Sequence, residues 1–330
     1  MSPVLYKGAV RLGRGRHLRR CARPGPGGTL DVQTFYWTLV GRIETLAPMP
    51  EGPAPVPVTQ RLRVRYAKRG RLRFTSHRDI SRAVERAVRR AGIPVAHSAG
   101  FTPHPKISYA GAAATGVASE AEYLEIGLTA TRDPAWVRTA LDEALPSGLD
   151  ILDVVVARAG TSIADRLEAS EWTIRLDGVA PDTAVEATEA FMAAAEVEVE
   201  RLTKKGLRRF DARSAVSTCG IQPGESDRRG SDETAVPCVI LRMVVRQTTP
   251  AVRPDDVLAG LRQVAGFAPP SPPLVTRLAQ GPLNADTGEL TDPLDPDRET
   301  EPPGGDATAG HGLASMPAGA VSADVVGAHP

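Results

Sequence analysis

A change of hydrophobic period at Ser76 most constrains the fold of this 330-residue chain. Over residues 61–66, apolar side chains alternate with arginines, and a period of two predicts a half-buried strand with an arginine face. Over residues 80–91, apolar side chains recur at helical spacing instead. Ser76 followed by Asp79 resembles a capping box that opens this helix. The segment therefore predicts a strand over residues 61–68, a break at Gly70 after which residues 72–74 extend or return the strand, and an amphipathic helix.

The alternation of strands and helices continues to about residue 160. Two strands, a second helix and a fourth strand follow the first pair, which gives the order β-α-β-β-α-β of a ferredoxin-like unit. The same order recurs less clearly downstream, and two of its strands are predicted over residues 197–202 and 206–216 around a turn at residues 204–206. We therefore predict an α+β protein of two tandem ferredoxin-like domains, over residues 59–160 and 168–283.

The two ends of the chain differ in composition from this patterned middle. Residues 1–58 form a basic, proline-rich extension and residues 284–330 an acidic tail, and both are predicted to be disordered. Met49 stands directly before the first patterned segment and is a candidate internal start. Residues 1–48 would then be an upstream extension of the true start, and a tail of the native protein is the alternative.

Cysteine usage and hydropathy exclude several classes of protein. Cys21, Cys219 and Cys238 form no CxxC pair, so they build neither a disulfide framework nor an iron–sulfur site of three closely spaced thiolates. No apolar run approaches the roughly 20 residues that cross a bilayer. We therefore expect a cytoplasmic protein that does not enter a membrane.

Positive charge is concentrated in residues 61–106, although the net charge of the whole chain is only +1. This stretch holds 13 Lys or Arg against two acids, whereas residues 119–200 hold 18 acids against five bases. A concentrated positive patch attracts a polyanion such as nucleic acid whatever the net charge of the protein.

The strand and the helix of this stretch supply the first candidate phosphate-binding residues. Three helical arginines lie four residues apart and so form one stripe, and the helix N-terminus favours anions. We predict RNA phosphate contacts from Arg63, Arg65, Ser76, Arg78, Arg82 and Arg86. The alternative is a solvated helix face that packs beside acidic neighbours.

The loop over residues 98–106 supplies a second set. Two prolines bracket His104 and hold it extended beside Lys106, while Phe101 could stack on a base. The predicted substrate contacts of this loop are Ser98, Gly100, Phe101, His104 and Lys106. The alternative is a rigid connector in which Phe101 belongs to the core.

Histidine chemistry offers a catalytic alternative. His77 or His104 could act as general acid or base in a metal-independent ribonuclease, because imidazole titrates near neutrality. No metal is predicted, since the spacings of 20 and 7 between His77, His97 and His104 fit no common ligand pattern. Glu120 and Glu122 share one strand face and are predicted to lie on an exposed edge.

Long, irregular motifs in the basic stretch resemble the bacterial radical SAM-linked protein family, in its actinobacterial form. The motifs are FTSHRD, RAGIPVA, SAGFTPHPKIS and GVASEAEY, and the resemblance is strong over residues 60–160. It implies a cytoplasmic protein encoded beside, or fused to, a cobalamin-binding radical SAM enzyme, with no known reaction. SAM, the iron–sulfur cluster and cobalamin would belong to that partner, and no cofactor to this chain.

The residues and the resemblance together predict a non-catalytic accessory protein that binds RNA, either tRNA or rRNA, in support of a radical SAM partner. The chain lacks the cysteine triad of a radical SAM enzyme, so the radical chemistry cannot be its own. Two alternatives stay open. One is the ribonuclease described above, and the other is a protein–protein adaptor that uses the same basic face.

Overall fold

The structure of the chain is a computed structural model in which residues 54–203, 206–223 and 237–298 are described. Most of the predicted extension over residues 1–58 lies outside the described residues, as does the predicted acidic tail beyond Arg298. The described residues therefore cover the patterned middle of the chain.

Strands make up the larger part of the regular structure. Ten occur in the described ranges, numbered along the chain as β1 (Gln60–Lys68), β2 (Ile107–Ala110), β3 (Ala118–Leu128), β4 (Ile151–Val156), β5 (Ala169–Asp177), β6 (Glu198–Thr203), β7 (Gly206–Asp211), β8 (Val216–Pro223), β9 (Cys238–Arg246) and β10 (Leu274–Gly281).

Helices are fewer. In the same ranges they are α1 (His77–Arg90), α2 (Pro134–Ala144), α3 (Pro181–Ala193), α4 (Pro254–Ala265) and the short α5 (Asp295–Arg298). None of these described helices has the length and apolarity needed to span a bilayer. The molecule is thus a mixed α+β fold dominated by its sheet.

The connection between β1 and α1 differs from the prediction. Residues 72–74 were expected to extend or return the first strand, and this is wrong: Gly70–Phe74 forms a short 3-10 helix. Gly70 has a φ of +53°, in the left-handed region that glycine adopts without a steric penalty. The strand therefore ends at a sharp turn, and the chain winds directly toward the start of α1.

The first four strands pair in the order β4-β1-β3-β2, and every neighbouring pair is antiparallel. Val64 on the central β1 lies opposite Leu124 of β3 and Val154 of β4. Helices α1 and α2 pack on one face of these strands, where Ile80 and Val137 join the same buried cluster. The predicted element order of this half, β-α-β-β-α-β, is present.

The second half adds four strands to the same sheet, in the order β10-β5-β9-β8. Its neighbouring strands are also antiparallel. The strands β6 and β7, which the sequence predicted as two strands around a turn at residues 204–206, form a separate two-stranded sheet. The main sheet instead takes β8, whose separate existence the sequence did not predict.

A turn after β7 explains this difference. One strand was predicted over residues 206–216, and this is wrong because the chain reverses after Asp211. The Asp211 carboxylate accepts the backbone N–H groups of Val197, Arg213 and Ser214 at 2.9–3.0 Å. These hydrogen bonds hold the turn, so β8 starts in a new direction and can pair with β9.

Strands β3 and β10 join the two halves into one eight-stranded mixed sheet. They pair in parallel at Ala118–Thr276 and Ser119–Arg277, while β2 pairs with the later part of β3. Phe191 of α3 lies in a second buried cluster that belongs to the second half. The two halves thus have separate cores and a shared sheet.

Residues 283–298, called the C-terminal segment below, cover the face of the first-half strands opposite to the helices. Leu294 is fully buried in a small cluster with Tyr123 and Val155, which alternate along β3 and β4 with core residues of the helical face. The predicted disordered tail began at residue 284, whereas residues 284–298 are part of this fold. The polar composition of these residues predicted disorder, but one buried leucine and several ion pairs hold them on the sheet.

Candidate nucleic-acid interface

The start of α1 is built as the sequence predicted. Ser76 is the N-cap residue, with extended φ and ψ, and its Oγ accepts the backbone N–H of Asp79 at 3.3 Å. The same hydroxyl donates to the Asp79 carboxylate at 2.7 Å. Ser76 therefore serves the helix itself, and the Asp79 carboxylate in the first turn reduces the attraction of this end for a phosphate.

Helix α1 has one buried and one cationic face. Ile80, Val84 and Val88 are buried against the sheet, whereas five arginines on the opposite side are exposed: Arg78, Arg82, Arg86, Arg89 and Arg90. Four of them recur at intervals of four residues, and each interval rises about 6 Å along the helix axis. We call Arg78, Arg82, Arg86 and Arg90 the arginine row; it is about 18 Å long.

The arginine row is largely unneutralised. Arg82 lies 3.6 Å from Asp79, but both side chains are more than half exposed, and such pairs contribute little. Among the residues that the structure describes, Arg78, Arg86 and Arg90 form no ion pair with a carboxylate. The row therefore keeps most of its charge for an external anion.

Arg63, by contrast, is not available to a phosphate. Its guanidinium is 1% exposed and donates to both carboxylate oxygens of Asp297 at 2.7 Å, and it also lies 3.4 Å from Glu125. Arg166 donates to the same Asp297 carboxylate. The C-terminal segment supplies Asp297, so the predicted arginine face of β1 is covered by the protein's own chain.

Arg65 is also engaged on this face. Its Nε donates to the backbone carbonyl of Glu120 at 2.9 Å, and its Nη1 lies 3.8 Å from Asp292. The side chain is about one quarter exposed. Arg65 thus faces the C-terminal segment and does not continue the surface that carries the arginine row.

The loop over residues 98–106 is a small hairpin closed by its own polar groups. The backbone N–H of Ser98 donates to the carbonyl of His104 at 2.8 Å, and the N–H of His104 donates to Ser98 Oγ at 3.0 Å. Gly100 turns the tip with a φ of +112°. Phe101 is 71% exposed, so the alternative that placed it in the core is wrong.

The two histidines proposed for catalysis have different surroundings. His77 packs edge-on against Tyr109 of β2, with ring centroids 5.0 Å apart, and burial raises the pKa of this tyrosine to about 12. His104 is exposed and belongs to the hairpin that precedes β2. Across the described part of the chain, no hydrogen bond joins the two residues and no cluster of metal-ligating side chains occurs.

A buried polar cluster at the junction of the two halves escaped the sequence reasoning. Glu122 was predicted on an exposed edge, and this is wrong: it is 1% exposed and accepts a hydrogen bond from the buried Arg277. Lys68 donates to the carbonyl of Ala114 at 3.0 Å, and burial lowers the pKa of its ammonium group. These charges hold the loop between β2 and β3, so their role is structural.

Phe74 is an exposed aromatic residue to which the sequence pattern assigned no functional role. It ends the 3-10 helix before α1, is 61% exposed, and lies under the Arg73 guanidinium at 4.6 Å from the ring centroid. The available signal was an aromatic residue two positions before the Ser76 cap. The assignment of residues 72–74 to a strand concealed it.

Comparison with known proteins adds a family but no activity. The profile of a family described as "uncharacterized protein conserved in bacteria" (DUF2344) matches residues 61–254, which is more than half of the chain. No curated protein matches the chain. The matched range includes α1 and the hairpin over residues 98–106, and it ends before β10 and the C-terminal segment.

Proposed function

We propose a function for a chain that belongs to the DUF2344 family of uncharacterized bacterial proteins: it binds RNA through α1 and does not itself catalyse a reaction. The arginine row carries this proposal. Four exposed guanidinium groups, three of them without a carboxylate partner in the described ranges, line one helix over about 18 Å. Such a row suits a phosphate backbone, which attracts any protein that neutralises its charges.

The surface around the row supports RNA more than a compact anion. The row extends along the whole of α1, so it offers a line of charges in place of a single pocket. The exposed Lys106 and His104 add polar groups in the hairpin beyond the helix. RNA, either tRNA or rRNA, presents phosphates in a line of this kind.

We also propose that both halves are ferredoxin-like units. The order β4-β1-β3-β2 in the first half and the order β10-β5-β9-β8 in the second support this, because each matches the other strand for strand. The hairpin of β6 and β7 would then be an insertion in the second unit. Folds of this kind occur with many functions, so the fold does not decide among them.

A radical SAM partner is the second part of the proposal. It rests on the motifs that resemble the radical SAM-linked protein family, and it gives the bound RNA a use as the substrate of that partner. SAM, the iron–sulfur cluster and cobalamin would be held by the partner. Co-purification of a cobalamin-binding radical SAM protein with the tagged chain from its native host tests this part, and its absence there would contradict it.

The experiment for RNA binding is a pull-down of total RNA with a charge-reversed row. The variant Arg78→Glu/Arg82→Glu/Arg86→Glu should lose the RNA that the wild type recovers. A matched control reverses three exposed arginines on other elements, Arg138→Glu/Arg208→Glu/Arg262→Glu, and should retain it. Both variants lower the net charge by the same amount, so a difference in RNA recovery between them cannot come from the overall charge of the protein.

Other outcomes would reject the proposal in different ways. RNA recovery that is unchanged in the row variant would remove RNA binding by α1 and favour the protein–protein adaptor. Incubation of total RNA with the protein and EDTA should give no new fragments. Fragments that disappear in His104→Ala would contradict the non-catalytic assignment and establish the ribonuclease.

A further inference from the structure

We infer that the RNA held by the arginine row is single-stranded, with unpaired bases stacked on Phe74 and Phe101 at the two ends of α1. The inference rests on the proposed function, since the row provides the phosphate contacts. It adds the class of RNA and a stacking residue, Phe74, to which the sequence pattern assigned no role. Two exposed aromatic rings and a line of cations are the parts of a single-strand binding surface.

Phe74 is held outward by a rigid support. The preceding residues bind back to the protein, because the backbone N–H of Gly116 donates to the carbonyl of Arg73 at 2.7 Å. Leu72 packs against the core of the first half, and Thr75 donates its N–H to the Leu72 carbonyl at 3.0 Å. The ring is 61% exposed even with Arg73 against it. Because the backbone that carries this ring is already fixed, the ring loses little further conformational freedom when it stacks on a base.

Phe101 is presented in a comparable way at the other end. The hairpin that carries it is closed by the Ser98–His104 hydrogen bonds, and His97 pairs with Pro105 at its base. The ring is 71% exposed. Of the described hydrophobic side chains, Phe74 and Phe101 are the exposed phenylalanines, and Phe191 and Phe267 are buried in the core.

The chain path places these rings on either side of the arginine row. Phe74 precedes the first turn of α1 by two residues, Thr75 and Ser76. Phe101 follows the last turn, after a segment in which Val95 pairs with Leu128 at the end of β3. Strands β1 and β2 are parallel, because each is antiparallel to β3. A helix that connects two parallel strands runs back along them, so α1 starts at the carboxyl end of β1 and ends toward the amino end of β2. Along the chain, the rings therefore lie beyond the two ends of the row.

The exposed rings favour single-stranded RNA over a duplex. In a duplex each base is already stacked between its neighbours, so a surface ring gains nothing from it. In a single strand the bases can turn outward and stack on aromatic side chains, as in known single-strand binding folds. Loss of one such contact weakens binding by roughly 5- to 150-fold, from the free energies measured per stacked base.

The test is fluorescence anisotropy with two RNA probes and the full chain. One probe is a labelled uridine oligonucleotide of about 12 residues, within the range of site sizes known for single-strand binding folds. The other is the same strand paired with its adenosine complement. The wild type should bind the single strand more tightly, and Phe74→Leu and Phe101→Leu should each weaken that binding by at least about 5-fold. Trp136→Leu, which removes an exposed aromatic ring from α2, should bind as the wild type does.

The outcomes separate this inference from the function on which it rests. Equal binding of the duplex, or unchanged single-strand binding in both phenylalanine variants, would overturn single-strand stacking. If, in either case, Arg78→Glu/Arg82→Glu/Arg86→Glu still abolished binding of both probes, the proposed RNA binding by the arginine row would hold and only the stacking of single-stranded bases would be rejected. No binding of either probe by the wild type would overturn both. Circular dichroism of the variants confirms that they are folded, and leucine preserves the apolar character of each site.

Discussion

The arginines of β1 and the arginines of α1 lie in one short basic stretch and have opposite surroundings. On β1, Arg63 is buried and shares the Asp297 carboxylate with Arg166. On α1, Arg78 and Arg86 face solvent, and within the described residues no carboxylate pairs with them. The same residue type therefore stabilises the fold in one place and forms a surface for an anion in the other.

The difference depends on distant carboxylates. The β1 arginines pair with Glu125 on the neighbouring strand and with Asp292 and Asp297 near the end of the described chain. A local count of charge includes Arg61, Arg63 and Arg65 as free cations and so overstates the surface that can attract RNA. Only the part of the basic stretch without a partner elsewhere in the chain contributes to that attraction.

The largest effect should come from the carboxylate that two arginines share. Asp297→Asn removes the carboxylate charge that Arg63 and Arg166 share in a buried site and leaves Arg63 with Glu125 alone, and we expect the free energy of unfolding to fall by about 3–5 kcal/mol. Urea denaturation measures this. Asp295→Asn, which removes an exposed partner of Arg298, is the matched control and should cost about 0–1 kcal/mol. Equal losses in the two variants would refute the distinction.

The next effect separates two arginines on the same strand face. Arg63→Gln removes the buried guanidinium, yet Asp297 keeps Arg166, so the expected loss of stability is about 2–3 kcal/mol. Arg61→Gln removes a side chain that is 57% exposed and paired to Glu125 at 3.0 Å, and it should cost at most about 1 kcal/mol. If Arg61 proved the costlier substitution, the buried pair would not be what fixes the C-terminal segment.

Acid should weaken the buried pair selectively. Burial alone would raise the pKa of Asp297, but hydrogen bonds from Arg166, Arg63 and the Arg158 backbone N–H outweigh it and hold the pKa below its usual value. The stabilisation is thus complete above the unfolded-state pKa of about 3.9 and is lost as the pH falls through the folded-state pKa. Unfolding by urea at several acidic pH values should show a shrinking difference between wild type and Asp297→Asn. A constant difference would contradict the assignment.

The smallest effect on stability should come from the helix. Arg78→Gln/Arg82→Gln/Arg86→Gln changes exposed side chains, so we expect the free energy of unfolding to change by about 0.5 kcal/mol or less. The salt dependence of RNA binding should change clearly, its logarithmic slope falling by about 2 for three lost phosphate contacts. A large loss of stability with an unchanged slope would show that the helix arginines are structural too.

Local patterns predicted the parts of the fold that depend on neighbouring residues. The first strand, the Ser76 cap and α1 follow from period and capping, which act within a few residues. The reversal at Asp211 did not follow, because a carboxylate that accepts three backbone N–H groups leaves no periodic signal. The residues after it were therefore assigned to the wrong strand.

The candidate site was likewise predictable only where it depends on neighbouring residues. The exposed arginines of α1 follow from helical spacing. The Gly and Pro content of residues 98–106 indicated a loop, but it left open whether Phe101 was exposed or in the core. The burial of Arg63 and Glu122 did not follow. Their partners, Asp297 and Arg277, are more than 150 positions away, and pairing over such distances is set by the tertiary fold.

The buried pair of Arg63 and Asp297 also has a consequence for synthesis on the ribosome, because Arg63 is made long before Asp297. The two residues are separated by 234 positions, and ribosomes add roughly 5–20 residues per second, so Arg63 waits on the order of 10–50 s for its partner. During that interval the nascent chain exposes a basic strand face that later becomes interior. A chaperone or RNA that contacts this face would meet it only before the C-terminal segment emerges, and a C-terminal truncation before Asp297 would keep it open permanently.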